Sequence, residues 1–393
     1  QDRPEAEHLT LFYLWLSVGG ALGGILNSLV APLVFDSIAE YPLTLIALAL
    51  LLHAPPGARR GLIGFRPSRR LGWVAAAALA IPVTAQMGGS FPVWGWGITV
   101  AAVGVWGLVL SRYVGSVVGT GVIVAILASS LGFGTTIDEA RSFFGVVRVT
   151  AEGDVYTMRH GTTVHGMQNR TPELRRTSLT YYHPTGPMGS TVGRLREDGK
   201  VGVVGLGTGT LAALIDPGQE IVFHEIDPLV ARMAREHFTY LEDSPGQSRI
   251  VLGDGRLTLA DLPDGFYDLL VLDAYSSDYV PLHLLTTEAV GLYLSKVGAD
   301  GLVLFHISNR FADLDRVVRG AAEVLDLPMR IAWHVPSADA EAEGAVASLV
   351  AAMANDPRAF DTLDPALGWA PPEASTEAVV WTDARSSLLS VLR

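Results

Sequence analysis

The chain has 393 residues, enough for two or three domains, and its composition divides it into two unlike parts. Residues 1–132 contain five acidic and seven basic residues, whereas residues 133–393 contain 35 acidic and 21 basic residues. The acidic second part disfavours nucleic acid as a partner, because binding to phosphates requires clustered Lys and Arg. The chain has no cysteine, so disulfides and thiolate metal sites are excluded.

The first part is strongly apolar, and the whole chain has a mean hydropathy of +0.33. Five stretches approach the length of about 20 residues that a helix needs to cross a bilayer. They are residues 9–35, 38–53, 71–87, 91–110 and 114–131. The sequence therefore predicts a bundle of about five transmembrane helices over residues 1–132, with the lipid bilayer as a partner. Because the chain opens on Gln1 instead of Met, we expect a processed or trimmed product.

Two sequence signals indicate the orientation of this membrane part, and they conflict. The loop of residues 53–70 carries five arginines, which places it in the cytoplasm by the positive-inside rule. Three further crossings would then place residue 133 outside, whereas a nucleotide-type cofactor requires the cytoplasm. We expect an integral protein of a bacterial-type inner membrane whose second part faces the cytoplasm, and the basic loop stays in conflict with this expectation.

The second part begins with short strand patterns that are separated by turn residues. GVVRVT, DVYTMRHG, TTVHGMQ and SLTYYHP alternate apolar and polar residues between Gly, Asp and Pro. They predict a linker and a small antiparallel β subdomain over residues 133–196.

Over residues 197–335 the sequence pattern changes, and predicted strands alternate with predicted helices. Strands are predicted for KVGVVGLG, IVFHEID, RIVLGDGR, YDLLVLDAY and ADGLVLFHIS, and helices for TGTLAALI and PLVARMAREHFTYL. This alternation predicts an α/β Rossmann-like domain with a parallel sheet covered by helices. Residues 336–393 are predicted to complete that domain, with residues 338–354 as a surface helix.

Chemistry-bearing residues follow three of these strands, where open parallel sheets bind ligands. Glycines of the GLGTGT motif, residues 205–210, allow a tight turn close to a cofactor. Glu225 ends the next strand and can accept both hydroxyls of a ribose. Asp254 and Gly255 can reach an adenine edge. Together they predict an adenosine-bearing ligand, and Thr210 in place of the last glycine of GxGxxG favours S-adenosylmethionine-like ligands over NAD.

Asp273 ends the fourth strand, and Asp278 follows in DAYSSD. A carboxylate there would lie beside the reactive end of the cofactor, where it can hold a cationic amine and accept its proton. Amine attack on carbon requires a neutral lone pair, so a proton acceptor is a chemical requirement.

The motifs VVGLGTGTLA, FHEIDP, GDGR and LDAYSSDYVPLHLLT resemble the spermidine synthase (polyamine aminopropyltransferase) family. The resemblance covers residues 144–311, and residues 8–45 resemble the membrane portion of its membrane-fused branch. It implies a β-hairpin subdomain beside a Rossmann-like core of the S-adenosylmethionine-dependent methyltransferase type. It also implies transfer of an aminopropyl group from decarboxylated S-adenosylmethionine to a small cationic amine, without a metal, by a possible homodimer.

The resemblance also implies roles for particular residues. The catalytic residues would be Asp273, Asp278 and Tyr182. The residues that bind the donor would be Gly205, Gly207, Gly209, Glu225, Asp227, Asp254, Gly255, Gln168 and His183.

Three departures from the family pattern concern the acceptor end. The two aspartates are spaced Asp-x-x-x-x-Asp, two residues longer than in the soluble enzymes, and Phe143 and Phe144 stand where those enzymes have a Tyr-Gln pair. Ala384 stands where a second acid is common. Two alternatives therefore stay open. One is another enzyme using intact S-adenosylmethionine, a methyltransferase or a sulfonium-cleaving enzyme, with His306, Asn309 or Arg310 binding the carboxyl group. The other is a non-catalytic membrane protein that binds a nucleoside or a polyamine.

Overall fold

A computed structural model describes residues 8–36, 40, 44, 134–161, 163–274, 281–372 and 377–393. The chain divides into two compact units, Gln1–Thr135 and Thr136–Arg393. In the first unit, helix α1 (Leu9–Ile25) continues through a π-helical turn (Leu26–Val30) into α2 (Ala31–Val34).

This continuous helix is the one span within the described residues that is long and apolar enough to cross a membrane. It runs from Leu9 to Val34, and its best 18-residue window has a mean hydropathy of 1.7. It coincides with the first predicted span. The other four spans and the basic loop of residues 53–70 lie outside the described residues, so the bundle of five helices stays a prediction.

The second unit begins with a four-stranded antiparallel sheet, which confirms the predicted β subdomain. Its strands are β1 (Thr135–Ser142), β2 (Gly145–Glu152), β3 (Val155–His160) and β4 (Thr163–Asn169), in that spatial order. The segment SLTYYHP, predicted as a strand, is irregular instead. Thr180 within it has φ +64, which breaks the extended conformation, and its N–H donates to the Gly344 carbonyl at 2.8 Å.

A seven-stranded sheet follows, and it confirms the predicted parallel core. Its strands are β5 (Lys200–Val204), β6 (Glu220–Glu225), β7 (Gln247–Leu252), β8 (Tyr267–Leu272), β9 (Val297–His306), β10 (Met329–His334) and β11 (Ser348–Ala354). The spatial order is β10-β11-β9-β8-β5-β6-β7. Strands β5 to β9 pair in parallel, whereas β11 pairs antiparallel with both β9 and β10.

Hydrophobic clusters cover both faces of this sheet. The helices are α3 (Pro187–Val192), α4 (Pro228–His237), α5 (Gly255–Ala260), α6 (Thr287–Lys296), α7 (Leu314–Leu325) and α8 (Ala338–Ala342). Leu270 and Leu272 of β8 face the cluster formed with α6 and α7, whereas Leu269 and Val271 face the cluster formed with α3 and α4. Central strands are therefore apolar on both sides, as parallel strands between two helical layers must be. The antiparallel sheet joins the second cluster through buried side chains of β2 and β3.

Two predicted helices are wrong. TGTLAALI forms only a four-residue 3-10 helix, Thr210–Ala213, because the chain must already enter β6 at Glu220. Residues 338–354, predicted as a surface helix, form the five-residue α8 and then the buried strand β11. Pairing with β9 and β10 in the sheet interior overrides the helix propensity of this Ala-rich segment.

The strand order reverses at β5, which has β6 on one side and β8 on the other. Such a reversal opens a crevice at the carboxyl ends of the two diverging strands. Gly205 follows β5 and Asp273 follows β8, and the two residues meet there. Gly205 has φ +100, and a Cβ at this position would overlap the carbonyl oxygen of Asp273. The fold therefore places the glycine motif directly against the predicted catalytic aspartate.

Candidate active site

The glycine loop lies beneath strand β4 at the crevice. Gly207 has φ +54, and a Cβ there would overlap the carbonyl oxygen of His165. The same position would be 3.8 Å from the hydroxyl of Tyr182. Because Gly207 has no side chain, the loop can approach β4 and Tyr182 this closely. Gly209, at φ +80, ends the loop and begins the 3-10 helix.

Glu225 ends β6 with its carboxylate turned back toward the glycine loop. Its Oε2 accepts the Leu206 N–H at 2.9 Å, and its Oε1 accepts the Asp227 N–H at 2.8 Å. Burial raises the pKa of Glu225 to about 7, against the lowering effect of these backbone hydrogen bonds. Each carboxylate oxygen can accept a second hydrogen bond. The geometry therefore suits a ligand with two neighbouring hydroxyl donors, as a ribose has.

Asp254 caps the start of α5 at the next strand end. Its Oδ1 accepts the N–H groups of Arg256 at 2.9 Å and Leu257 at 3.1 Å, and its Oδ2 lies 3.2 Å from His283 Nε2. Gly255, which follows it, is buried against Val204 of β5. The pair thus stands where the sequence predicts it, at the end of β7 beside β6.

Asp273 is the most enclosed charged group of the site, with a side chain that is 3% exposed. Its Oδ2 accepts a short hydrogen bond from the hydroxyl of Tyr182, and its Oδ1 lies 2.6 Å from His306 Nδ1. Burial acts to raise the pKa of Asp273, but His306, the hydrogen bond from Tyr182 and the nearby His165 together hold it below its ordinary value. Asp273 is therefore a fixed anion at neutral pH.

Tyr182 reaches Asp273 from the irregular segment that follows β4. Burial and the charge of Asp273 hold the pKa of Tyr182 well above its ordinary value, so the phenol stays protonated and donates. The ring of Tyr181 packs against the rings of Tyr182 and His306, at centroid distances of 4.3 Å and 4.2 Å. The two catalytic residues expected at 182 and 273 are thus brought together, although 91 positions separate them.

His306 ends β9 and extends the contacts of Asp273. Its Nε2 lies 2.9 Å from Ser308 Oγ, and that oxygen accepts the Leu349 N–H at 2.9 Å. Asp273, His306 and Ser308 therefore form a continuous hydrogen-bonded series. The sequence suggested His306 as a partner for a carboxyl group, but the structure pairs it with a carboxylate of the protein.

His165 of β4 is a site residue that the sequence did not single out. Its Nε2 is buried and has no hydrogen-bond partner among the described residues. Burial and the neighbouring His160 lower the pKa of His165 to about 4, against the opposite effect of Asp273. The imidazole is therefore neutral at pH 7.

Three predicted donor residues have their polar atoms occupied by the protein. Gln168 donates to the Arg175 carbonyl and to Thr239 Oγ1 and accepts the Thr239 N–H. Asp227 caps α4 and accepts the Ser142 hydroxyl at 2.6 Å. His183 lies 2.9 Å from Thr185 Oγ1 and 3.5 Å from Glu343. Their roles in donor binding stay predictions.

Among the remaining acceptor-end residues, those that the structure describes make no hydrogen bond to Asp273. Asp278 lies in residues 275–280, outside the described residues. Phe143 is 81% exposed, and the Asn309 side chain accepts the N–H groups of Phe311 and Ala312. Of the three groups suggested for a carboxyl ligand, His306 contacts Asp273, Asn309 is hydrogen-bonded to the backbone, and Arg310 is exposed.

One cluster of metal-type ligands occurs within the described residues, formed by Asp138, Glu236 and His237. The guanidinium of Arg232 binds both carboxylates of this cluster, 3.0 Å from Asp138. This arrangement is a surface ion-pair network, because a cation already lies between the acids.

No family model matches the chain. A polyamine aminopropyltransferase of Vibrio vulnificus is 29% identical over 168 residues, which are 40% of this chain and 54% of that protein. A probable polyamine aminopropyl transferase of Bifidobacterium longum is 28% identical over 109 residues, 27% of this chain and 23% of that protein. A spermidine synthase structure from Thermotoga maritima superposes with a TM-score of 0.42 at 14% identity, covering 64% of this chain and 82% of that chain.

Over these aligned parts, the chain is similar to polyamine aminopropyltransferases. It spans 54% of the length of the Vibrio relative and 23% of the Bifidobacterium one.

Proposed function

We propose that the chain is an aminopropyltransferase that moves an aminopropyl group from decarboxylated S-adenosylmethionine to a small cationic amine. The observation that carries the proposal is the enclosed anion at Asp273, fixed by Tyr182 at the point where the glycine loop meets the end of β8. The similarity to two polyamine aminopropyltransferases supports it.

The donor would lie over residues 205–209, with its ribose on Glu225 and its adenine near Asp254 and Gly255. Glu225 already receives two backbone hydrogen bonds, so ribose hydroxyls would complete its coordination. The reactive methylene, which adjoins the sulfonium, would then point toward Asp273, because the carbonyl of Asp273 touches the start of the glycine loop.

The amine would bind at Asp273 by charge attraction, and we also assign Asp278 to the acceptor side. The nitrogen of the amine then attacks the methylene in line with the C–S bond. A C–N bond forms, the C–S bond breaks, and neutral methylthioadenosine leaves. The protein contributes alignment and an anion that pairs with the positively charged amine. A proton must leave the ammonium form of the substrate before attack.

Intact S-adenosylmethionine is the second candidate donor, and the surroundings of Asp273 disfavour it. Its carboxylate would need a cationic or donating partner, yet His306 is engaged with Asp273 and Asn309 with the backbone. The aminopropyl chain of the decarboxylated donor carries no carboxylate and ends in an ammonium group, so an enclosed anion such as Asp273 suits it better.

Incubating the purified chain with each donor and each of putrescine, cadaverine and spermidine tests the proposal. We expect methylthioadenosine with the decarboxylated donor. S-adenosylhomocysteine from the intact donor would identify a methyltransferase instead. Donor binding by calorimetry without any nucleoside product would indicate a non-catalytic binding protein.

We further propose that the helix Leu9–Val34 anchors the chain in a bilayer. It is supported by the length of 26 residues and by the lack of any Asp, Glu, Lys or Arg in this segment. Retention in membranes after alkaline carbonate washing, and its loss when residues 1–36 are deleted, would test the anchor separately from catalysis.

A further inference from the structure

Asp254, the acid proposed to meet the adenine of the donor, has most of its hydrogen-bonding capacity occupied by the protein. Each oxygen of a carboxylate offers two acceptor positions. Both positions of Oδ1 are taken, by the N–H groups of Arg256 at 2.9 Å and Leu257 at 3.1 Å. One position of Oδ2 is taken by Nε2 of His283 at 3.2 Å. Within the described residues, one acceptor position is thus left for a ligand, and it lies on Oδ2.

The contact between His283 and Asp254 has a defined direction. A carboxylate only accepts, so Nε2 of His283 carries the hydrogen that faces Oδ2. The side chain of His283 is 51% exposed and that of Asp254 is 25% exposed. The imidazole therefore occupies a place on Oδ2 that water would otherwise hydrate, while part of the carboxylate stays accessible to a ligand.

The backbone of His283 is held in place, although its ring is exposed. His283 lies in the 3-10 helix Leu282–Leu284, and Leu284 of this helix is buried. The carbonyl of His283 accepts a hydrogen bond from Nη1 of Arg256 at 3.2 Å. Asp383 fixes the same guanidinium through two hydrogen bonds, at 2.7 Å and 2.6 Å. The ring of His283 thus reaches Asp254 from an anchored turn.

Asp254 stands one strand away from Glu225, the acid proposed to bind the ribose. The N–H of Gly253 donates to the Glu225 carbonyl at 2.9 Å, because β6 and β7 are neighbours in the sheet. A nucleoside whose ribose lies on Glu225 can therefore extend its base toward Asp254. The edge of adenine carries an amino donor at its 6-position, where guanine carries an oxygen acceptor. An open carboxylate position suits the amino group.

We propose that His283 is a positioning residue of the donor site and that the preference of this site for a 6-aminopurine depends on it. By replacing water on Oδ2, His283 lowers the cost of dehydrating Asp254 when the base binds, and it leaves one acceptor position for the 6-amino group. Without His283, the hydrogen bond to the base must replace one to water, which lowers its net contribution. This inference rests on the proposed aminopropyl transfer, which places the adenine at Asp254.

Binding of two nucleosides to the purified full chain, measured by calorimetry, tests this role. The two are methylthioadenosine and the same compound without its 6-amino group. We expect the wild type to bind methylthioadenosine about 10-fold more tightly or more, as for a hydrogen bond to a charged group. His283→Ala should reduce this preference to less than about threefold, by weakening methylthioadenosine alone. A merely structural role of His283 would weaken both nucleosides equally and leave the preference unchanged.

Two further variants and one kinetic measurement complete the test. His283→Gln places an amide N–H near the position of Nε2 and should restore the preference. His237→Ala is the matched control, since it removes another histidine whose Nε2 faces an aspartate, Asp138 at 2.9 Å, and both affinities should be kept. With the decarboxylated donor, His283→Ala should raise the donor KM by about 10-fold and change kcat by less than about twofold. Thermal unfolding checks that each variant folds.

An unchanged preference in His283→Ala would overturn the proposal, because the amino group would then be bound without help from His283. So would a wild type that binds both nucleosides equally or neither of them, or a glutamine variant that behaves like the alanine variant. A wild type that binds methylthioadenosine with the expected preference, yet forms none from the decarboxylated donor and an amine, would instead refute the proposed function. The two failures are therefore distinguishable.

Discussion

Replacing Asp273 by Asn should remove amine transfer and leave the donor bound. The side chain is 3% exposed, so its charge acts in a poorly screened environment. At an effective dielectric of about 20, a cation about 4 Å away is attracted by about 4 kcal/mol. Losing this attraction in the transition state corresponds to about three decades in kcat/KM for the amine. Donor affinity should change by less than about threefold, because the proposed nucleoside contacts, Glu225 and Asp254, do not involve this side chain.

The assay is release of methylthioadenosine from decarboxylated S-adenosylmethionine at varied amine concentration, with donor binding followed by calorimetry. Asp300→Asn is the matched control, since it makes the same chemical change at an exposed position of β9. Thermal unfolding is measured in parallel, because the new amide faces two donors, Tyr182 and His306. If Asp273→Asn keeps more than about a tenth of wild-type kcat/KM, the charge at 273 does not bind the amine.

Three further outcomes follow from the structure. Burial raises the pKa of Glu225 to about 7, and ribose hydroxyls would donate to its ionised form. Donor affinity should therefore rise between about pH 6 and 8, and donor binding should release a proton. Calorimetry should show that Glu225→Gln removes this pH dependence. Gly207→Ala should lower the free energy of unfolding in urea by about 1–2 kcal/mol or more, because Gly207 has a positive φ and an added Cβ would overlap the His165 carbonyl. The matched change Gly291→Ala, in open space on α6, should not lower it. Asp383→Asn breaks a bidentate pair with Arg256, at 2.7 Å and 2.6 Å, and should cost at most about 1 kcal/mol at pH 7 because the carboxylate is 46% exposed. The Arg256 hydrogen bonds lower the pKa of Asp383 from 3.8 to about 2, so this contribution is present above pH 3.8 and is lost as the pH falls through about 2; variant and wild type should converge there.

The donor end could be predicted from the sequence because its parts are local. The glycine motif, Glu225 and Asp254 each lie at or just after the end of a strand, and parallel strands bring their carboxyl ends to one edge. Asp273 was predicted for the same reason.

The acceptor end could not be predicted in this way, because its contacts join distant positions. His306 and Asp273 are 33 residues apart, and Ser308 is fixed by a backbone N–H 41 residues away. His165 gave one weak signal, a histidine beside a glycine in a strand of the β subdomain. Nothing local indicates that its carbonyl lies on Gly207.

Backbone strain distinguishes the two ends of the site. At the donor end, Gly205 and Gly207 have positive φ and, as glycines, adopt it without a steric penalty. At the acceptor end, Thr180 has φ +64, a conformation that costs a β-branched residue about 1–3 kcal/mol. Contacts such as its hydrogen bond to the Gly344 carbonyl must offset that cost.

Thr180 stands immediately before the tyrosine that covers His306 and the tyrosine that donates to Asp273. The conformation at Thr180 therefore sets the direction in which the chain enters these two tyrosines. The strained conformation at Thr180 thus accompanies the placement of Tyr182 on Asp273, the contact on which the proposed chemistry rests.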